Sequence, residues 1–540
     1  MKNALVICVW LLCNSAFGQN VGINMMTPIG KLHVKGSADV SQLIIDANAT
    51  QSNSNPLIRL RKSGGSNLLS ITADDSTNCF IGLKAGITNN ASSFALNNSF
   101  IGYQAGYLNA TGHDNTAVGS QALYSNTRMS QNTAIGKGAL GTQSYDPGFD
   151  YSSGNVAIGN AALLSNQPVS PITGIANTGV GWSALRFNST GANNSAFGFS
   201  SLYSNTTGTK NTAIGMNALY FNTLASTNTA IGMNAMYSNT AAGANTAIGQ
   251  NALYAQSYSP GSSWLSWNVA IGIEALYGNQ PTNTGNGISN TAVGSYAMHV
   301  NSTGFNNVAI GTNTLSSQTI GSQNTACGTG ALYNNLSGTD NTALGYNAGT
   351  ATYAPNAINT VSIGNNGYMN GASNQAFIGN LSTLWTGGQT TWFTYASDAR
   401  VKDHVQEDVG GLDFILKLRP VTYNLNITAM RDITGNKDTD DYPEKYDVEK
   451  IRQSGFIAQE VEQAALESGY NFSGVTIPKR ENELYTMSYE QYVVPLVKAV
   501  QELAQKNQAL VEKNKEQDML IEKMMQKIDK LENPIEKPIH

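Results

Sequence analysis

The chain has 540 residues, of which 41% are hydrophobic and only 12% charged, with a formal net charge of −5. That length is more than one compact core usually holds. Its 54 glycines fall well short of the roughly one in three of collagen, and the lack of a basic excess argues against a nucleic-acid partner. Of the 65 Asp, Glu, Lys and Arg residues, ten fall in 1–79, ten in 80–380 and 45 in 381–540. A nearly uncharged middle rich in Asn, Thr, Ser, Gly and Ala is thus flanked by chemically different ends.

Residues 1–18 read as a secretory signal peptide: Lys2 is the positive start, Ala4 to Leu12 the apolar stretch, and Ala16-Phe17-Gly18 a small-x-small cleavage site. The apolar stretch is too short to span a bilayer, and the bulky Leu12 disfavours a lipoprotein signal on Cys13. A secreted or cell-surface localisation is expected, without a transmembrane segment. Removing the signal leaves only Cys79 and Cys327, which make no disulfide framework and no metal site. Residues 19–77 read as a β-rich cap or attachment segment, with short strands at Val21–Ile23, Lys31–Val34, Leu43–Ile45 and Leu57–Leu60. Such a piece would cover the strand edges exposed at the end of a repetitive β-structure.

Residues 78–380 are a repeat array. The unit is Asn-Thr-Ala-Ile-Gly, two residues, Ala-Leu-Tyr and then Asn-Thr, starting at Asn98, Asn115, Asn132, Asn155, Asn177, Asn194, Asn211 and onward to Asn341, with degenerate copies at Asn78 and Asn374. Most steps are 17 residues, and a pair of longer steps recurs between Asn132 and Asn177 and again between Asn245 and Asn290. So short a period with Gly and Asn at fixed offsets fits one coil of a β-solenoid or β-roll. The expectation is two short strands per coil, Ala213-Ile214 and Ala218-Leu219, with Gly215 and Asn222 at positive-φ corners. Ile214, Ile231 and Ile248 would form one internal apolar ladder and Leu219, Met236 and Leu253 another. Asn211, Asn228 and Asn245 would form an internal amide ladder. The motif resembles the head repeats of trimeric autotransporter adhesins, which implies a trimerising β-roll.

Chemistry on the array looks sparse. A glycan hydrolase needs paired carboxylates, and 80–380 offers only Asp114, Asp146, Asp150, Glu274 and Asp340. Asp146 and Asp150 share an insertion that reads as a polar loop. The Tyr203, Tyr220, Tyr237 and Tyr254 column reads as a structural aromatic ladder rather than a sugar-stacking strip. His33, His113, His299 and His404 show no ligand spacing, and no metal or cofactor is expected.

Residues 381–396 read as a linker. Beyond it stand Ser397-Asp398-Ala399-Arg400-Val401-Lys402, then Leu418-Arg419-Pro420-Val421-Thr422-Tyr423, then Gly455-Phe456-Ile457-Ala458-Gln459-Glu460-Val461, and then Tyr485-Thr486-Met487-Ser488-Tyr489. In that order these blocks resemble the intramolecular chaperone of phage tail fibres and endosialidases, peptidase family S74. The resemblance implies a small α+β chaperone domain, 397–490, that promotes trimerisation of the fibre and then cuts itself off between Ala396 and Ser397. It gives Ser397 as nucleophile and Lys402 as its partner. A Ser hydroxyl beside a Lys amine suits that role, and Ser397 adjoins the scissile carbonyl. Asp398 and Arg400 are expected to pair and to support the loop.

Residues 491–533 carry Leu496, Val500, Leu503, Asn507, Leu510, Asn514, Gln517, Ile521, Met524, Ile528 and Leu531 at alternating steps of four and three, a heptad seam. The pattern alone leaves dimer and trimer open; the resemblance implies a trimer. The chain thus reads as mainly β, a solenoid fibre with a chaperone domain and a coiled-coil helix behind it. Its expected function is that of an exported, self-assembling, tail-fibre-like or adhesin-like structural protein. Its partners would be its own copies and a surface glycan or other cell-surface ligand, and its enzymology at most single-turnover self-cleavage. The alternative is a glycan-binding or glycan-degrading spike whose chaperone stays attached.

Overall fold

The computed structural model describes residues 21–23, 32–34, 43–46, 55–91, 94–349, 354–366, 372–380, 382–383, 386, 397–434 and 446–533. The expected signal peptide, most of the 381–396 linker and Ala396 lie outside the described residues. The protein is mainly β, a solenoid-like stack of regular coils with a small α+β region and a long helix toward its C-terminus. It divides into two units, residues 1–227 and 228–540.

In the first unit a hairpin, Ile58–Arg61 with Asn67–Thr72, pairs antiparallel with Cys79–Ile81. From there each coil gives one three-residue strand. Ser99–Ile101, Thr116–Val118, Thr133–Ile135, Val156–Ile158, Thr178–Val180, Ser195–Phe197 and Thr212–Ile214 stack in parallel. The register sets like on like, Ala196 on Ala213 and Phe197 on Ile214. Val21–Ile23 and Leu32–Val34 form a separate parallel pair, while Leu43–Ile45 is not a strand. In the second unit the same pattern runs from Thr229–Ile231 to Ala376–Ile378. It includes a coil at Val361–Ile363 that the repeat motif does not flag, because Thr360 stands where the repeat has its Asn.

The coil interior differs from the expectation in what fills it. Strand residues alternate sides, and in Thr212-Ala213-Ile214 the middle residue faces inward. Ala213 is fully buried and Ile214 is 40% exposed, so the Ile column lies on the outer face. The buried Leu219 already fills the coil, so the inward strand position is Ala; where that position is Phe, as at Phe80 and Phe100, Gly86 and Gly106 stand in place of the Leu. Ala218 and Leu219 are buried as expected, but Leu219 has φ +53 and belongs to a turn, as do Met236 and Leu253; the only second strands among the described coils are two-residue ones placed elsewhere, Met129–Ser130 on Tyr151–Ser152 and Ala242–Gly243 on Trp264–Leu265. Asn217 and Gly215 take the positive-φ corners. Asn222 does not: it is buried, and its Nδ2 donates to Asn205 Oδ1 at 2.8 Å.

Two amide columns therefore run inside each unit. In the expected one, Asn194 Nδ2 donates to Asn177 Oδ1 at 3.1 Å and to Gly208 O at 2.9 Å, while its backbone N–H also reaches Asn177 Oδ1. The second column links Asn109 with Asn126, and then Gln143, Asn166, Asn188, Asn205 and Asn222 in turn. Most of these amides thereby find partners without water, Asn126 Oδ1 and Asn335 Oδ1 being exceptions. At the N-terminal end Asp74 closes both columns, accepting from Asn78 at 2.9 Å and from Asn89 at 3.0 Å.

The glycine ending each strand is required by close stacking. Gly198 has φ +134, and a Cβ there would stand 2.6 Å from Gly215 O. Gly198→Ala should cost about 3–5 kcal/mol, read as a fall in Tm. Gly261→Ala, at φ +85 with nothing within 4 Å, should cost about 1 kcal/mol. Equal losses for the two would refute the close-approach account.

The α+β region packs Phe414, Val461, Ala464, Ala465, Phe472 and Tyr492 into one core. Helix Leu412–Lys417 supplies Phe414, and helix Ala458–Glu467 supplies the Val and Ala positions. The hairpins Val421–Tyr423 with Gln453–Gly455, and Val475–Thr476 with Thr486–Met487, flank it. The packing extends past residue 490. Tyr492 is in the core, and Glu502 of helix Val493–Glu532 accepts from Leu412 N–H at 2.7 Å. From Leu503 to Glu532 every residue of that helix is exposed. No helix among the described residues is long and apolar enough to cross a membrane.

Candidate functional site

Ser397 to Lys402 form a tight turn built by local chemistry. Asp398 caps the 3-10 turn Ala399–Val401, accepting from Arg400 N–H at 2.9 Å. Its carboxylate also binds the Arg400 guanidinium, with Nη2 to Oδ2 at 2.6 Å. Those bonds, the side-chain one foremost, hold the Asp398 carboxyl below the ordinary Asp range. Lys402 N–H closes the turn on Ala399 O. The outcome is that Lys402 Nζ donates to Ser397 Oγ at 2.9 Å. The expected pairs, Ser397 with Lys402 and Asp398 with Arg400, are thus both brought together. All four side chains are exposed. Ala396, on the other side of the expected cut, lies outside the described residues.

Beyond the turn, the three later sequence blocks meet. Arg419 of the Leu418–Tyr423 block pairs with Glu460 of the Gly455–Val461 block through two hydrogen bonds, which hold the Glu460 carboxyl below its usual range. Val421 pairs with Gly455 in the hairpin. Tyr489, of the last block, accepts from Phe456 N–H at 3.0 Å, and a Cβ on Gly455 would collide with that same phenol. Phe456 and Tyr492 rings stack at 5.3 Å. Burial pushes the Tyr492 phenol up to about 12, so it stays a neutral core residue.

Elsewhere the array is structural in character. Arg128 Nε lies 2.6 Å from Asp146 and Arg128 Nη1 3.9 Å from Asp150, and Thr111 also bonds Asp150. Those carboxylates are already engaged as a loop contact rather than poised as an acid–base pair. The Tyr column stacks face on face: Tyr203 with Tyr220 at 4.8 Å and Tyr237 with Tyr254 at 5.2 Å. Rings stacked in this way cover each other's faces, the surfaces a sugar would need. Two histidines have partners the sequence did not reveal, His113 with Asp114 at 2.7 Å and His299 with Glu274 at 3.0 Å. The second pair is separated by 25 residues and is visible only once coils are stacked. Among the described residues no three His, Cys, Asp or Glu side chains group as a metal site.

No curated protein and no solved structure matches the chain. The segment that opens on the Ser397–Lys402 turn and runs through helix Ala458–Glu467, residues 397–470, matches the family Peptidase_S74, the chaperone of endosialidase.

Proposed function

We propose that this is an exported, homotrimeric, tail-fibre-like structural protein. Its C-terminal chaperone domain drives trimer assembly and then cleaves itself off between Ala396 and Ser397. The observation that carries the cleavage is the 2.9 Å contact of Lys402 Nζ with Ser397 Oγ at the first residue of the matched segment. Support for assembly comes from the C-terminal helix, whose seam residues Val500 and Leu531 are 64% and 81% exposed. Val497, Ala504, Val511 and Met525 add apolar positions beside the seam in a heptad column that Asp518 and Glu532 interrupt. Export rests on the residues 1–18 pattern.

The chemistry is intramolecular. Ser397 Oγ attacks the Ala396 carbonyl carbon and loses its proton to the Lys402 amine. The Ala396–Ser397 amide bond breaks, its nitrogen takes up a proton from the ammonium, and an ester of Ala396 on Ser397 Oγ results. Water hydrolyses that ester, leaving an Ala396 carboxylate and a free Ser397 N-terminus. Lys402 must be a neutral amine to act.

Expressed without its signal, the full chain should give two fragments, the C-terminal one starting at Ser397 by N-terminal sequencing. Ser397→Ala should leave one uncut chain that still forms trimers. Lys402→Ala and Lys402→Arg should block the cut as well, since Arg stays charged. The rate within trimers should not change on dilution. Fragments appearing at the normal rate from Ser397→Ala would overturn the mechanism.

A further inference from the structure

We infer that the solenoid coils face one another, copy to copy, through the outer column made by the third residue of each strand. This rests on the homotrimer reading and names the surface the array would use. In the first unit the column runs Ile101, Val118, Ile135, Ile158, Val180, Phe197, Ile214; Ile101 is 39% exposed and Phe197 41%. In the second unit Ile310 is 43% and Leu344 51% exposed in the corresponding column. Every residue of it is apolar. Beside it, the first strand residue is Thr, Ser, Val, Ala or Cys in every coil and carries no charge. The charged residues of the array, such as Lys137, Arg186, Lys210, Glu274 and Asp340, all lie off the strands.

An exposed apolar strip repeated through every coil exceeds what a monomeric soluble surface ordinarily shows, and such strips mark protein interfaces. Its spacing identifies the occupant. Side chains recur along the stack at the strand separation of about 4.8 Å. A globular partner has no matching row of that pitch over so many coils, whereas a second copy of this chain has one in register. The uncharged character fits the same occupant, because a copy facing its equal meets its own charges, and repeated like charges would repel.

Cys327 offers a built-in probe, since it occupies the third strand position between Ile310 and Leu344 and is a free thiol. In a Cys79→Ser, Ser397→Ala chain expressed without residues 1–18, and so without Cys8 and Cys13, mild oxidation or a short bis-maleimide should link two chains of each trimer into a dimer band on denaturing gels. Cys327→Ser should abolish that band. Moving the thiol to the Tyr column, with Cys327→Ser and Tyr333→Cys, should not restore it; Tyr333 is 47% exposed. Analytical ultracentrifugation of the same samples reports the assembly independently. A trimer that links through Tyr333→Cys but not Cys327, equally through both, or through neither overturns this face and leaves the trimer intact. A monomer in ultracentrifugation overturns the trimer reading and this inference with it.

Discussion

A chain ending at Gly410 should lose its trimer peak in analytical ultracentrifugation and be recovered as monomer or aggregate. The truncation removes helix Val493–Glu532 and all of the core around Phe414 and Tyr492. Apart from Asn507, Asn514 and Gln517 the seam positions are apolar, and each of those is about half exposed or more in the single chain. Burying them against other copies yields on the order of 1 kcal/mol per side chain. Set against the ordering cost of association, that sum is enough to bring three chains together, and the coil column left in the truncated chain, being alike from coil to coil, supplies no comparable starting register. The three polar residues interrupt the seam at the expense of stability, and polar residues at such positions fix register. The full-length Ser397→Ala chain is the control, because it keeps the seam and lacks only the hydroxyl. Soluble trimers from the truncated chain, at the yield of the control, would remove the chaperone from the account.

The second large effect concerns the coils. Deleting Asn307 to Gln323 removes one whole 17-residue turn and sets Asn324 on Asn290 and Asn335 on Asn301, so both amide columns remain continuous. The deleted chain should stay soluble with Tm lowered by only a few degrees. Deleting Asn307 to Thr314 removes about half a turn. Leu315 and its neighbours would then enter strand positions, and the amides of Asn290, Asn324 and Gln318 would lose their stacked partners. Each buried amide left unmatched costs about 1–3 kcal/mol, and several at once exceed what a marginal fold withstands. That chain should be insoluble or melt more than about 10 °C lower. Circular dichroism melts of the two deletions decide it; equal behaviour would mean the coils are not stacked by these columns.

Much of this was legible in the sequence because a repeat writes its own register. The Asn-Thr-Ala-Ile-Gly spacing located the strands, the Asn194-type ladder and the Gly198-type turn. What it could not fix was which side of a three-residue strand faces inward. Alternation allows Ala213 inside with Ile214 outside, or the reverse, and what selects Ala is the space left by the inward Leu219. The second amide column was hidden for a related reason: Asn at a turn reads as a positive-φ residue, and Asn222 turned inward instead. At the candidate site, the blocks named Ser397, Lys402, Asp398 and Arg400. Five residues of separation do not set a side-chain distance, however; the Asp398 cap and the 3-10 turn do. The Arg419–Glu460 and Phe456–Tyr489 links join residues 41 and 33 positions apart, which no local pattern encodes.

The amide columns have a direction. From Asn126 to Asn109, from Asn205 to Asn188 and from Asn301 to Asn279, each side-chain N–H points toward the N-terminal neighbour. Aligned amide dipoles add, and hydrogen-bonded chains polarise one another. Each column of amides is therefore a line of aligned dipoles, positive toward its start and negative toward its finish. In the first unit the Asp74 carboxylate sits at the positive end; in the second, Thr360 gives its hydroxyl to Asn341 Oδ1 near the negative one. Columns of this kind laid side by side attract when antiparallel and repel when parallel. In the proposed trimer of parallel chains the amide columns would oppose that arrangement, and the helical seam would have to set it.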